Sequence, residues 1–512
     1  MAELERTRSR RGREARGSDA PVRAVWPGLP GGRFLPLDAG EQRAVHEGAL
    51  SLLETLGLSQ AIPSMVARVT AAGGRQTADG RLLFPRALVE DCIAGARRDV
   101  VLHGRRDGLE IDLSGARIHM SSGGASPAIV DIETGRYRDA TTRDLYDAAR
   151  LVDALEHIHH FSRSLVARDA PDPLAMDVNT AYACLRGTAK HVSVSISEPG
   201  HVPAIAEMCH LIAGGERAFR ERPFLTAMVC HVVPPMRFAS EACATLEAAV
   251  LAGFPVQIIS AGQAGATSPA SIAGSLVQAV AETLAGLVFV RLVDPAARAI
   301  FAPKPLVADL RTGAMCGGGG EQAILMAGAA QMGRFYDLPT SSIAGITDAK
   351  VPDAQHGAEK ALAVALAAHA GSNLITQSCG MQASLLGVSL ESYVADNDML
   401  GAILRTIRGV EVTEETLGLA AIAEVCRGEG HFLAHPQTYA RMKSDYVYPA
   451  IGDRRSPRDW EAEGGLDLRA RARQRAREIL AGHHPQHVGA EADRAIRARH
   501  AILLSPEEVG TA

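Results

Sequence analysis

The segment Gly345-Ile346-Thr347-Asp348-Ala349-Lys350-Val351-Pro352-Asp353-Ala354-Gln355 places an acid, a base and a second acid within six positions. Carboxylates and amines crowded at the end of a strand are where perturbed proton affinities do work. Asp348 and Lys350 are therefore read as catalytic, and Asp353 as the cap of a helix starting at Ala354; a surface salt-bridge loop is the plainer alternative. Cys230 and His231, followed by Pro234-Pro235-Met236, close another apolar run. A histidine there can act as general base or substrate contact, or cap a backbone group. Ser260 to Pro269 brings glycines, Gln263 and the pair Thr267-Ser268, which can cap a helix with Pro269 in its first position. Gln263 is a candidate substrate contact.

The richest glycine run is Arg311 to Glu321, with Gly317, Gly318, Gly319 and Gly320 in succession. It lacks the GK[ST] of a phosphate loop and the spacing of a dinucleotide fingerprint. Its amides can form an anion-binding nest, or its bare backbone can let a bulky group or partner protein approach. Cys316 has no adjacent histidine to activate it and is not read as a nucleophile. Gln377 follows a late strand, and Asp396-Asn397-Asp398 falls within a helix. His431 and His435 lie four apart with Glu429 nearby, but no third ligand is in register and Pro436 ends the pattern, so no metal site is read there.

The elements that must position these residues follow a regular alternation. Apparent strands are 191–195, 225–229, 256–259, 287–290, 299–301, 340–343 and 373–376, with an eighth around 158–164. Between them lie helical segments over 202–213, 240–252, 269–284, 322–336, 354–370 and 390–407. Small or polar residues follow nearly every strand, as where the loops after the strands build a common mouth. The expected fold class is α/β, a (β/α)8 TIM-type barrel; a doubly wound open sheet needs similar elements. The expected organisation is a disordered Arg-rich arm over 1–30, an N-terminal α/β cap over 31–140, the barrel over 141–450, and a C-terminal helical extension with a frayed tail over 451–512.

With 47% hydrophobic and 22% charged residues, the composition is ordinary for a globular protein. A net charge of -5 disfavours nucleic acid and anionic membranes as partners. The eight cysteines show no CxxC pair, and no apolar leader follows the arginines of the N-terminus, so a reducing cytoplasm is the expected compartment. The apolar stretch Ala358 to Ala370 is interrupted by charge and falls short of the ~20 residues a bilayer needs; no membrane segment is expected.

Taken together, Gly265-Ala266-Thr267-Ser268-Pro269, Arg311-Thr312-Gly313-Ala314, Gly345-Ile346-Thr347-Asp348-Ala349-Lys350 with Pro352-Asp353-Ala354-Gln355, Asp396-Asn397-Asp398-Met399-Leu400-Gly401 and Gly430-His431-Phe432-Leu433-Ala434-His435-Pro436 resemble the trimethylamine methyltransferase family, over about residues 30 to 490. The resemblance implies a barrel that moves a methyl group from a methylamine or quaternary amine to the Co(I) of a separate corrinoid protein, with no tightly bound cofactor of its own. It implies a homo-oligomer by analogy. Some members carry pyrrolysine; this sequence has only ordinary residues and is similar to the pyrrolysine-free branch that includes glycine betaine methyltransferases. A quaternary ammonium already has a neutral amine as leaving group, so orienting the N-methyl and excluding water suffice. Within that resemblance Asp348, Glu321 and Tyr393 are candidates for the cation, Lys350 or His231 for a carboxylate, Gln263 and Gln377 for further substrate contacts, and Gly317 to Gly320 for the loop facing the corrinoid. Rival readings are a barrel lyase or hydrolase using His231, Asp348 and Lys350, and a non-catalytic quaternary-amine sensor.

Overall fold

The computed structural model describes residues 28–32, 34–428 and 430–510. Eight parallel strands form its frame: β1 Arg117–Met120, β2 Phe161–Ser162, β3 Val192–Val194, β4 Leu225–Cys230, β5 Val256–Ser260, β6 Ala299–Pro303, β7 Ser341–Ile343 and β8 Leu374–Thr376. β2 to β6 form one sheet in sequence order, with Ser162 opposite Ser193, Val194 opposite Ala227, Cys230 opposite Ile259 and Ser260 opposite Pro303. β7, β8 and β1 lie in a second sheet. Isolated parallel bridges join the two sheets at both junctions, Ser121 to His160 and Phe301 to Thr340.

Three helices precede the frame: α1 Ala39–Thr55, α2 Pro63–Ala71 and α3 Arg86–Gly95. Each strand then leads into a helix: α4 Thr142–Ala154, α5 Pro173–Gly187, α6 Val202–Ala213, α7 Ser240–Leu251, α8 Ile272–Val293, α9 Gly320–Phe335, α10 Ala354–His369 and α11 Leu390–Arg408. Most starts are written in the sequence. Asp38, Thr141, Asp172, Asp353 and Ser389 each accept a backbone N–H of the first turn, so the capping expected of Asp353 is present. α12 Leu468–Gly482 packs on α11 and α4, and α13 Ala490–Arg499 on α6.

Four expectations are corrected. Residues 287–290 are not a strand; they form the second half of α8, a 22-residue helix buried on nearly all sides against α1, α3 and β6. An apolar run with no polar face carries no period to separate helix from strand. α8 is also long and apolar enough to cross a membrane, contrary to the reading of the sequence, but most of it is buried inside the fold. The missing strand is β1, which lies in the segment assigned to the cap. Thr267 and Ser268 do not cap α8, which starts at Ile272; Thr267 instead accepts the Gln263 amide and Ser268 bonds Ser275.

The arm expected over 1–30 lies outside the described residues up to Trp26 and Pro27, while Leu29 and Pro30 pair with β1. The tail after Ser505 is docked: Val509 is buried, and its carbonyl accepts from Arg186.

Candidate active site

The space between the two sheets is plugged at the N-terminal ends of the strands. There Ile300 and Leu374 pack with Val100, Leu102, Leu109, Ile111 and Leu113, from a hairpin that crosses the opening. Above that apolar floor lies a polar layer. Lys304 Nζ donates to Gln257 Oε1 (3.3 Å) and to Thr376 Oγ1 (3.0 Å), linking the two sheets. Gln257 Nε2 donates to Ser193 Oγ (3.4 Å), which meets His160 Nε2 at 2.8 Å. His160 Nδ1 lies 2.6 Å from Ser121 Oγ, which donates to the Ser122 carbonyl. These bonds share one direction: every donor is satisfied when His160 is neutral with its proton on Nδ1. Burial, with His191 and Lys304 nearby, holds the His160 pKa well below the usual range and so keeps it in that state.

Toward the C-terminal ends of the strands the interior opens. Thr226 is buried, Met228 is partly accessible and Cys230 is exposed, although all three alternate onto the same face of β4. Lys304 follows the last residue of β6, and its amide donates to Ser260 at the end of β5. Burial lowers its pKa to about 8, and the Cys230 thiol is the titratable group beside it. The Cys230 thiol is raised by the surrounding protein, against the pull of Lys304 and Arg163. Gln377 caps this region from β8 in a left-handed conformation (φ 59°), its amide fitting with nitrogen toward Thr376 and oxygen toward the Gly124 N–H. Gln263 is partly accessible, and its Nε2 has no hydrogen-bond partner among the described residues.

The glycine run is an anion nest, and the anion belongs to the chain. Asp348 accepts from Gly317 N (2.8 Å), Gly318 N (3.3 Å), Ser384 Oγ (2.5 Å) and Cys316 Sγ (3.2 Å). Burial raises its pKa, but these four donors outweigh it and leave the carboxyl below its ordinary value. The Cys316 thiol is pushed up to about 11 by burial and by Asp348. Gly319 caps α9 and Gly320 begins it, with Glu321 exposed on its first turn. Lys350 is exposed and donates to the Asp348 carbonyl.

Two expected residues lie elsewhere. His231 is buried behind β4; its Nε2 bonds the Glu282 carbonyl of α8 (2.8 Å), and burial lowers its pKa to about 4. It turns outward because residues alternate along β4 and Cys230 takes the inner face. Tyr393 is fully buried under Gly380, where an added Cβ would fall 2.4 Å from its ring. The structure therefore does not bring His231, Asp348 and Lys350 together. His435 Nδ1 accepts the Gln437 amide and so serves as a cap.

Two buried acids hold the loops from outside, Glu282, which the sequence reading did not single out, and Asp396, which it placed within a helix. Glu282 accepts from Ser260 Oγ (2.5 Å), Met236 N (2.7 Å) and Gln278 Nε2 (3.0 Å), tying the loops after β4 and β5 to α8. Asp396 pairs with Lys360 (2.6 Å) and His356 (2.8 Å) and accepts the Gly380 amide (2.8 Å), fixing the loop after β8. Its neighbours in the motif do the same: Asn397 accepts the His157 amide, and Asp398 those of Ala450, Ile451 and Gly452.

A parallel α/β frame with an apolar floor, a polar middle layer and an open end is an arrangement common to enzymes that carry their sites at the C-terminal ends of the strands. The sequence profile of trimethylamine methyltransferase (MTTB) matches residues 6–501, and the chain belongs to this family; it is a methyltransferase. It is 30% identical over 447 residues to the trimethylamine methyltransferase MttB of Desulfitobacterium hafniense, covering 87% of this chain and 89% of that one. It is 27% identical over 485 residues to a glycine betaine methyltransferase from another strain of that species, covering 94% and 99%. Among solved structures it is similar to the monomethylamine methyltransferase of Methanosarcina barkeri, at 12% identity and a TM-score of 0.48 over 90% of this chain and 96% of that one.

Proposed function

We propose that this chain moves a methyl group from an N-methylated amine to the Co(I) of a separate corrinoid protein, in the cytoplasm, on a frame that is a (β/α)8 barrel. The barrel reading rests on the two bridges that join the parallel sheets at both edges. The observation that carries the function is the family match over residues 6–501 together with an interior that opens beside Cys230. Cobalt supplies the methyl acceptor. This chain has to hold the donor and exclude water, and neither task needs a residue that ligates metal. The opening at Met228 and Cys230 fits that division, because a donor bound on the polar layer would present its methyl outward past both side chains.

Gln377 and Gln263 line this opening as substrate contacts. Glu321 and the backbone of Gly317 to Gly320 belong to the rim that a carrier protein meets, and Asp348 with Lys350 shapes that rim. The acid–base lyase or hydrolase reading lacks support, since His231 lies behind β4. The test mixes purified protein with a Co(I) corrinoid carrier and a panel of glycine betaine, proline betaine, carnitine and trimethylamine, following methyl-Co(III) by absorbance. Methylation from at least one donor is expected; none with a carrier proven competent would overturn the reading.

A further inference from the structure

The chain has five lysines, of which Lys190, Lys304 and Lys360 are buried. Two of these are compensated, Lys190 by hydrogen bonds and Lys360 by an opposite charge. Lys190 Nζ donates to the Val152, Leu155 and Ile158 carbonyls at 2.6 to 2.7 Å, which uses all three of its protons. Lys360 pairs with the Asp396 carboxylate at 2.6 Å. Lys304 differs from both. It donates to two neutral oxygens, Gln257 Oε1 and Thr376 Oγ1, and among the described residues no carboxylate pairs with it. Among the described residues one of its three protons has no acceptor, and its charge has no counter-ion. A buried ammonium in that state is costly unless something completes it.

Its position says where the completing group comes from. Lys304 sits at the open end of the polar layer, beside exposed Cys230. Arg163, at the end of β2, is the second basic group near that thiol; its guanidinium makes no hydrogen bond among the described residues, and its Nε is buried without a partner. A simple methylammonium entering this space would meet two buried cations; Asp177 lies near Arg163, but among the described residues no carboxylate pairs with Lys304.

We propose that Lys304 is the anchor for a carboxylate on the methyl donor, so that the substrate is a zwitterion carrying an N-methylated ammonium and a carboxylate, not a simple amine. This rests on the methyl-transfer reading above. Lys304 completes its third hydrogen bond and gains a counter-ion, while the N-methyl end points away from it toward the opening. Gln257 and Thr376 orient the ammonium, and the fixed direction of the bonds through Ser193 and His160 keeps Gln257 presenting its oxygen.

Binding an anion raises the proton affinity of Lys304. The titratable groups facing it are Cys230 on β4 and His160 on β2, with Arg163 near Cys230; Gln257 and Thr376 carry no charge. Calorimetry on the intact protein, in buffers of different ionisation enthalpy, should show net proton uptake with glycine betaine at about pH 8.5 and none at about pH 6.5. Tetramethylammonium and trimethylamine should bind at least roughly tenfold more weakly than glycine betaine. The Lys304→Met variant should lose roughly 10- to 100-fold in affinity for the zwitterion, the span expected for a charged hydrogen bond, without losing affinity for tetramethylammonium. Equal binding of zwitterion and simple cation by the unaltered protein, or absence of proton uptake, would overturn the proposal while leaving methyl transfer intact. If no N-methylated amine binds or is demethylated, the parent reading falls with it.

Discussion

At the scale of single residues, spacing identified reactive side chains better than it identified their jobs. Asp348 looks like a catalytic acid because it lies beside Lys350 in a loop after a strand, yet four donors occupy it. The signal was real but its partner, the glycine run some thirty positions earlier, is invisible without the fold. Replacing Asp348 by Ala strands the Gly317 and Gly318 amides and the Ser384 hydroxyl; we expect a loss of about 1–3 kcal/mol in urea unfolding and a looser rim. Lys304 was missed because Pro303-Lys304-Pro305 reads as a bland strand exit. Its scarcity in a chain where arginine supplies nearly all the positive charge was the available clue.

Asp396 gives a pH prediction. Burial raises its pKa, but Lys360 and His356 outweigh burial and leave it depressed. A depressed carboxylate contributes stability that is present above the unfolded value, about 3.9, and is lost as pH falls below it. Tm should therefore fall as pH drops through about 4, and Asp396→Ala should cost about 3–5 kcal/mol at neutral pH by leaving Lys360 unpaired.

At the scale of elements, helices with one polar face were legible to within a residue or two, as with α6 over Val202–Ala213 and α10 over Ala354–His369. α8 was not, because burial on every side erased the helical period. The two-residue β2 and four-residue β1 were hard to place because so little sequence is spent on them. α8 also carries a close approach that tests its role. Gly286 lies where an added Cβ would come 2.4 Å from Ile258 and 2.5 Å from His231 Nε2. Ala is the better helix former by about 1 kcal/mol, so an isolated helix would gain from Gly286→Ala. Here the clash with β5 and with the His231 bond should reverse the sign, and thermal melting should show a lower Tm.

At the scale of the whole molecule, the C-terminal segment is part of the frame. Buried Arg150 on α4 donates to the Leu480 and His483 carbonyls, Asp153 pairs with His483 (2.8 Å), and Arg186 on α5 reaches Gln486, Val488 and Val509. Cutting the chain before α12 removes partners from two buried guanidiniums and a carboxylate at once. We expect a protein truncated at residue 466 to lose its cooperative thermal transition. Composition suggested a helical appendage here; the ties across 300 residues and more that anchor it are a property of the fold.

The filled glycine nest has one more consequence. Loops of this kind commonly cradle phosphate, and in this protein the cradle already holds the Asp348 carboxylate. A phosphate ion would have to displace a covalently tethered anion of the same sign, so exchanging a neutral buffer for inorganic phosphate should leave both the melting curve and the transfer rate where they were.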